Sequence, residues 1–210
     1  MIERAKILAT ATLADALDDL GLPGIMSGIQ RQSGAGRIVG FARTMLEKTA
    51  AYGAFPFEDF KVGVGFDAVS EGEVLVVAMG GVDVSTFGGL ASRVLTQRKA
   101  AGVVIDGGCR DLEEICASGL TVAAKYRTPR SGKGRAKVMS MDEPVTCGGV
   151  DVCVGDLVII DDTGTVVLPK ERAEEVLSKA EELHARDERF MERLDAGETF
   201  SQISASLRHA

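Results

Sequence analysis

The apolar positions along the chain change rhythm several times. Residues 74–79 are apolar without a break (Val74-Leu75-Val76-Val77-Ala78-Met79), the length and composition of a buried strand. After Gly88-Gly89 the spacing turns helical and runs to about residue 101, with Gly102 expected to end the helix. Val103-Val104-Ile105 is a short β-branched run and predicts another buried strand. Asp106-Gly107-Gly108 is expected to turn the chain, and Arg110-Asp111 follow at once. Residues 111–117 predict a short helix and residues 120–125 a strand.

Upstream, Thr12-Leu13-Ala14-Asp15 has the spacing of a capping box, with Asp in place of the usual Glu. It would open a helix carrying Leu13, Ala16, Leu17 and Leu20 on one face and ending at Gly21. Residues 23–36 are rich in Gly, Ser and Pro and predict loop; residues 37–45 predict a strand. Residues 57–69 place Phe57, Phe60, Val64 and Ala68 at helical spacing, although Gly63 and Gly65 weaken that helix.

Beyond residue 130 the elements shorten. Strands are expected at 136–141, 145–154, 157–161 and 165–168, separated by Gly148-Gly149, Gly155-Asp156 and Asp162-Thr163-Gly164. Such spacing suggests antiparallel ribbons packed beside the first sheet. Residues 170–194 then predict one long helix with the stripe Ala173, Val176, Leu177, Ala180, Leu183, Phe190, Met191 and Leu194. Its opposite face is charged, and a second short helix follows over residues 199–207. The stripe would pack on the chain's own sheet or on a neighbouring subunit.

With 210 residues, 45% of them hydrophobic, the chain has material for one substantial core. It contains no run of roughly 18 apolar residues, so no membrane span is expected. The first ten residues lack the apolar stretch of a signal peptide. A net charge of −7 argues against nucleic acid as a partner, since phosphate neutralisation needs a basic face. The basic segment 125–137, broken by Pro129, Gly132 and Gly134, reads as a solvated loop or a local guide for anions. Cys109, Cys116, Cys147 and Cys153 form no Cys-x-x-Cys pair, and with only His184 and His209 available a zinc site is not expected. Free thiols fit a reducing cytoplasm.

The chemistry concentrates at residues 88–111. A glycine-opened helix offers unpaired N–H groups and the positive end of a dipole. Arg110, just past a strand, suits a carboxylate through its planar fork. Asp111 beside it supplies a hard oxygen suited to Mg²⁺ or Mn²⁺. Together they suggest a small carboxylate substrate and a divalent metal. The plainer readings are a simple glycine turn, a surface Arg-Asp pair, and Asp111 as a helix cap. Cys109 is a candidate nucleophile with no histidine near it in sequence. Asp161-Asp162-Thr163-Gly164 resembles a metal run but fits turn chemistry better.

Several segments, in order, resemble one family. They are Asp15-Ala-Leu, Gly72-Glu-Val-Leu-Val-Val, Phe87-Gly-Gly-Leu-Ala, Gly102-Val-Val-Ile-Asp-Gly-Gly-Cys-Arg-Asp, Gly148-Gly-Val and Gly155-Asp-Leu-Val-Ile-Ile-Asp-Asp-Thr-Gly. They are similar to the RraA-like group, which includes the regulator of ribonuclease activity A and metal-dependent 4-hydroxy-4-methyl-2-oxoglutarate / 4-carboxy-4-hydroxy-2-oxoadipate aldolases. The resemblance implies an α/β fold, a swivelling three-layer β/β/α domain over residues 1–168 with a C-terminal helical extension over 169–210. It also implies homotrimers or homohexamers with sites between subunits. By the same resemblance Arg110 binds the substrate carboxylate, Asp111 ligates the metal, and Gly88, Gly89, Leu90 and Ala91 form a backbone clamp on the substrate. Glu114 fits the acidic position that accompanies Arg-Asp, and Glu188 is a candidate for reaching a neighbouring subunit's metal. Aldolase-active members often carry an acid where this chain has Gly89.

The resemblance and the Arg110-Asp111 pair together imply a divalent-metal lyase acting on a 2-oxo acid, an aldolase or an oxaloacetate decarboxylase, working through a pyruvate enolate. Arg110 would hold the carboxylate and steady the developing charge, and Glu114 could move a proton. A Schiff-base route would need a pocket lysine; Lys99 and Lys125 are the nearest in sequence. The alternative is a non-catalytic oligomeric regulator that binds a ribonuclease or another protein. A methyltransferase is discounted because no glycine-rich nucleotide loop with an acidic follow-up is present.

Overall fold

The computed structural model describes residues 1–207, so His209 lies outside the described residues. Helices α1 (Ile2–Ile7) and α2 (Thr10–Asp19) lead into strands β1 (Gln30–Ser33) and β2 (Ile38–Thr49). Next come a 3-10 turn at Phe57–Asp59, α3 (Gly63–Ala68), β3 (Glu73–Ala78), β4 (Ser85–Phe87) and α4 (Gly89–Gln97). They are followed by β5 (Gly102–Cys109), α5 (Leu112–Ser118), β6 (Val122–Arg127) and β7 (Ala136–Met141). The chain ends with β8 (Val145–Cys147), β9 (Val150–Val152), β10 (Leu157–Ile160), β11 (Thr165–Leu168), α6 (Ala173–Asp195) and α7 (Phe200–Leu207).

Among the described residues, one mixed sheet runs β1-β6-β5-β3-β2-β10-β11, with β4 paired to β5 and β7 to β2. Its centre is parallel, from β2 through β3 and β5 to β6. Parallel strands need cover on both faces, and the pleat sends alternate residues to each. Leu75, Val77, Val103 and Ile105 pack with residues of α3, α4 and α5, including Phe66, Leu95 and Ile115. Val74, Val76 and Val104 face the other way, onto Val145, Cys147, Val150 and Val152 of the β8–β9 hairpin. Helices, sheet and hairpin make the three layers of a β/β/α domain. Around β10 and β11 a further core forms with α1, α2 and the first half of α6, where Val176, Leu177 and Ala180 are fully buried.

Several expectations change in the structure. The chain does not turn at Asp106-Gly107-Gly108; β5 continues to Cys109 and every residue in it is buried. The two glycines serve close packing instead. A Cβ on Gly107 would lie 2.5 Å from Met79 Sδ, and one on Gly108 would lie 2.5 Å from Thr128 Cγ2. Gly102 begins β5 rather than ending α4, which stops at Gln97 with Lys99 in a left-handed conformation at φ 56°. There is no capping box at Thr12, because α2 starts at Thr10 after Ala9. Its cap comes from across the fold: Thr10 N–H donates to Asp161 Oδ2 at 2.9 Å and Thr10 Oγ1 donates to Asp161 Oδ1 at 2.6 Å.

Residues 30–33, expected as loop, pair with β6 as an edge strand. The helix expected over 57–69 shrinks to α3, with Val64 and Phe57 exposed and Phe66 buried against Phe87, ring centroids 5.6 Å apart. β7, β10 and β11 join the main sheet through β2, so among the described residues only β8–β9 forms a separate ribbon. In the α6 stripe the last residues leave the core, with Phe190 against Phe200 of α7 and Met191 exposed.

Candidate active site

At the C-terminal end of β5 the chain makes an abrupt change of direction. Arg110 N–H donates to Phe87 O at 2.9 Å, which ties the exit of β5 to the exit of β4. Gly88, the residue after β4, then caps α4. The first intrahelical bond there is Ser92 N–H to Gly88 O at 3.0 Å, so the N–H groups of Leu90 and Ala91 have no partner within the helix. They form the electropositive end of a nine-residue helix.

Asp111 stands at the N-cap position of α5, yet its side chain makes no capping bond. Its backbone is left-handed, φ 53° and ψ 45°, a conformation uncommon outside glycine although more accessible to Asp than to most residues. The side chain is directed away from its own helix and toward α4, where Oδ2 accepts the Gly89 N–H at 3.3 Å. Arg110 Nε lies 3.4 Å from the same oxygen, and among the described residues its guanidinium has no other charged partner. One turn into α5, Glu114 reaches the same place: a Cβ on Gly89 would sit 1.7 Å from Glu114 Oε2. A Cβ on Gly88 would sit 2.5 Å from Asp111 Oδ2. The two glycines are therefore the condition for both carboxylates to approach the helix end.

Gly88, Leu90, Ala91, Arg110, Asp111 and Glu114 line one cavity of about 440 Å³. Gly89 is buried behind them and borders a neighbouring cavity that it shares with Glu114. Sequence reading missed the opposite wall. Ser85, Thr86, Ser131 and Lys133 also line the cavity. Lys133 is exposed and has no ion-pair partner among the described residues. Its loop is fixed by the bridge of Ser85 to Ser131 and by the Arg130–Asp83 ion pair at 3.0 Å. The basic composition of segment 125–137 was the available signal for this wall. Thr86 had none, because β4 is too short to show a period.

Other candidates fall elsewhere. Cys109 is buried at 1% exposure, and burial pushes its thiol up to about 11, which removes the thiolate a nucleophile requires. Lys125 sits in β6 with Nζ 2.7 Å from Asp106 Oδ1, and Lys99 pairs with Glu71 at the surface. Neither lines the cavity. Glu188 lies on exposed α6, 3.6 Å from His184 Nε2, and also does not line it. Asp161 is turn chemistry: its Oδ1 accepts the Thr163 and Gly164 N–H groups, and these bonds with those from Thr10 hold its carboxyl below the usual range despite partial burial. Among the described residues no three His, Cys, Asp or Glu side chains converge into a complete metal cage.

Known proteins share this arrangement of elements. A family model described as RraA-like, Aldolase/RraA, matches residues 10–167. A Halalkalibacterium halodurans protein provisionally named a 4-hydroxy-4-methyl-2-oxoglutarate aldolase is 32% identical over 195 residues, covering 89% of this chain and 85% of its own length. Protein DlpA of Legionella pneumophila is 28% identical over 200 residues; the match takes in 92% of this chain but only 31% of that protein's length. Among solved structures, Streptomyces coelicolor RraAS2, described as an unusual member of the RNase ES inhibitor RraA protein family, superposes with a TM-score of 0.83 at 26% identity, covering 91% of this chain and 96% of its own.

Proposed function

The chain belongs to the RraA-like family, and from that premise we propose that it is a divalent-metal-dependent lyase cleaving a C–C bond of a 2-oxo acid, as an aldolase, an oxaloacetate decarboxylase or both. The observation that carries this reading is the meeting of Arg110, Asp111, Glu114 and the α4 N-terminus in one cavity. Arg110 presents its free guanidinium edge to the substrate carboxylate. The Leu90 and Ala91 N–H groups stabilise negative charge gathering on the 2-oxo oxygen as the enolate forms. Lys133 and Ser131, on the far wall, suit a second carboxylate, which favours a dicarboxylic substrate.

Asp111 and Glu114 would hold the metal. Two carboxylates brought together over glycines form a hard-oxygen donor set with room for water ligands, which fits Mg²⁺ or Mn²⁺. When bound, such a cation supplies Lewis-acid polarisation of the 2-oxo group. The position of Glu114 also bears on Gly89. Any side chain at 89 would claim the volume that the Glu114 carboxylate already fills, so this chain brings its second acid from α5 instead of from α4.

The test is pyruvate release from oxaloacetate and from 4-hydroxy-4-methyl-2-oxoglutarate with Mg²⁺ or Mn²⁺, with and without EDTA. Release that needs the metal supports the lyase. Absence of release from both substrates overturns it and leaves the non-catalytic, partner-binding regulator, to be tested by binding to a ribonuclease.

A further inference from the structure

One titratable group near the cavity has no part in holding substrate or metal. Glu47 lies on β2 where the pairing with β7 slips register between Leu46 and Glu47. The slip turns its side chain inward, and it is 3% exposed. Thr86 Oγ1 donates a hydrogen bond to Glu47 Oε1. Glu47 Oε2 is buried and has no partner among the described residues. Thr86 is itself 5% exposed, lies two residues before the Gly88 cap, and lines the cavity beside Arg110, Asp111 and Glu114.

A buried carboxyl with one unanswered oxygen is costly unless it gains something from being an acid. Hydrogen bonding to Thr86 alone would be served as well by an amide. The pair instead has two hydrogen-bond states. An ionised Glu47 accepts the Thr86 proton. A neutral Glu47 donates to Thr86 Oγ1 and frees the hydroxyl proton for the cavity.

We propose that Glu47 is a positioning residue that stores a proton for the site and exchanges it with bound substrate through Thr86 Oγ1. The inference rests on the lyase reading. During aldol cleavage the C4 hydroxyl gives its proton to Thr86 Oγ1, which passes its own proton to the Glu47 carboxylate. The C3–C4 bond breaks, its electron pair forms the enolate, and C4–O becomes a carbonyl. The stored proton then returns from Glu47 through Thr86 to C3, which becomes the methyl carbon of pyruvate. Every proton and electron pair is accounted for within substrate, Thr86 and Glu47. Burial pushes the Glu47 carboxyl up to about 7, opposed by the Thr86 bond, so both forms are accessible near neutral pH.

The experiment follows exchange of pyruvate methyl protons in D₂O by NMR on the metal-loaded protein, alongside kcat and KM for cleavage. Glu47→Gln and Thr86→Val should each slow exchange by about a hundredfold, in line with loss of a general acid–base group. KM should change less than about twofold, because neither substitution touches the carboxylate grip. Thr86→Ser, which keeps the hydroxyl, should retain exchange. An infrared difference spectrum on pyruvate binding should show a protonated-carboxyl band that Glu47→Gln removes, a readout independent of turnover. A folded Glu47→Gln protein with wild-type exchange, or a band that persists in it, overturns the proton store alone. Wild-type protein with neither exchange nor cleavage overturns the lyase reading as well.

Discussion

Asp161, in the turn after β10, and Asp111, in the turn after β5, both follow a buried strand and both stand beside a helix N-terminus. Asp161 spends its oxygens on the fold: it caps α2 through Thr10 and closes its own turn through Thr163 and Gly164. Asp111 has a helix of its own to cap and leaves it uncapped. The one hydrogen bond its side chain accepts among the described residues, from Gly89 N–H, is long at 3.3 Å, and that side chain is 39% exposed beside Arg110. An acid whose oxygens are answered by backbone amides and a threonine hydroxyl is part of the framework. An acid held in a strained conformation with lone pairs to spare is available for a ligand.

The contrast is tested most severely at Asp111. Asp111→Asn, which keeps a residue that tolerates the left-handed backbone, should lower metal-dependent pyruvate release by roughly a thousandfold, about 4 kcal/mol of transition-state stabilisation, while leaving the thermal midpoint almost unchanged. A large drop in the midpoint would return Asp111 to the framework class.

Glu47 sharpens the contrast with a third acid, one whose burial favours the neutral form without excluding the charged one. Its carboxyl rises from 4.5 to about 7 on folding. Between those values the unfolded chain has released a proton that the folded chain keeps, so stability should fall as pH climbs through that window. The fall is at most on the order of 3 kcal/mol. Glu47→Gln should flatten this slope in denaturant midpoints taken across the same window. Asp161 has the opposite sign. Its folded value is depressed, so its contribution is present above the unfolded carboxylate range and is lost as pH falls through the lower folded value.

Asp161→Ala should then cost about 2 kcal/mol of stability in urea denaturation, since it removes a cap and leaves the Thr10 amide buried without a partner. It should leave kcat unchanged. The smallest effect belongs to Lys133→Ala, which should raise KM for a dicarboxylic substrate about fivefold and leave that for pyruvate exchange unaltered. Added salt should shrink the difference, as expected for an exposed cation.

The local pattern carried much of this site. A glycine pair opening a helix and an Arg-Asp pair at a strand's end are short-range signals, and Gly88, Leu90, Ala91, Arg110 and Asp111 do meet around one cavity; Glu114, to which only the family resemblance pointed, joins them there. What escaped depends on distant partners. The strand expected over residues 37–45 stops short of Glu47; β2 runs on to Thr49, and only the slipped pairing with β7 and the approach of β4 put Glu47 beneath the cavity. Gly107 and Gly108 looked like a turn because their packing partners, Met79 and Thr128, lie 28 and 20 residues away. Thr12 looked like a cap because the true cap, Asp161, is 151 residues from Thr10.

The wiring of the sheet also dictates an order of events during synthesis. β2 is flanked by β3 on one side and β10 on the other, with Ile38 opposite Ile160 and Phe41 opposite Leu157. A ribosome finishes β2 and α2 long before it reaches β10 and Asp161. Until then the nascent chain carries an open strand edge and a helix start without its cap, the features that invite pairing with other chains. Closure of β10 onto β2 is a long-range, entropically slow contact. It therefore seals the exposed edge of β2 and brings α2 its cap in one late step.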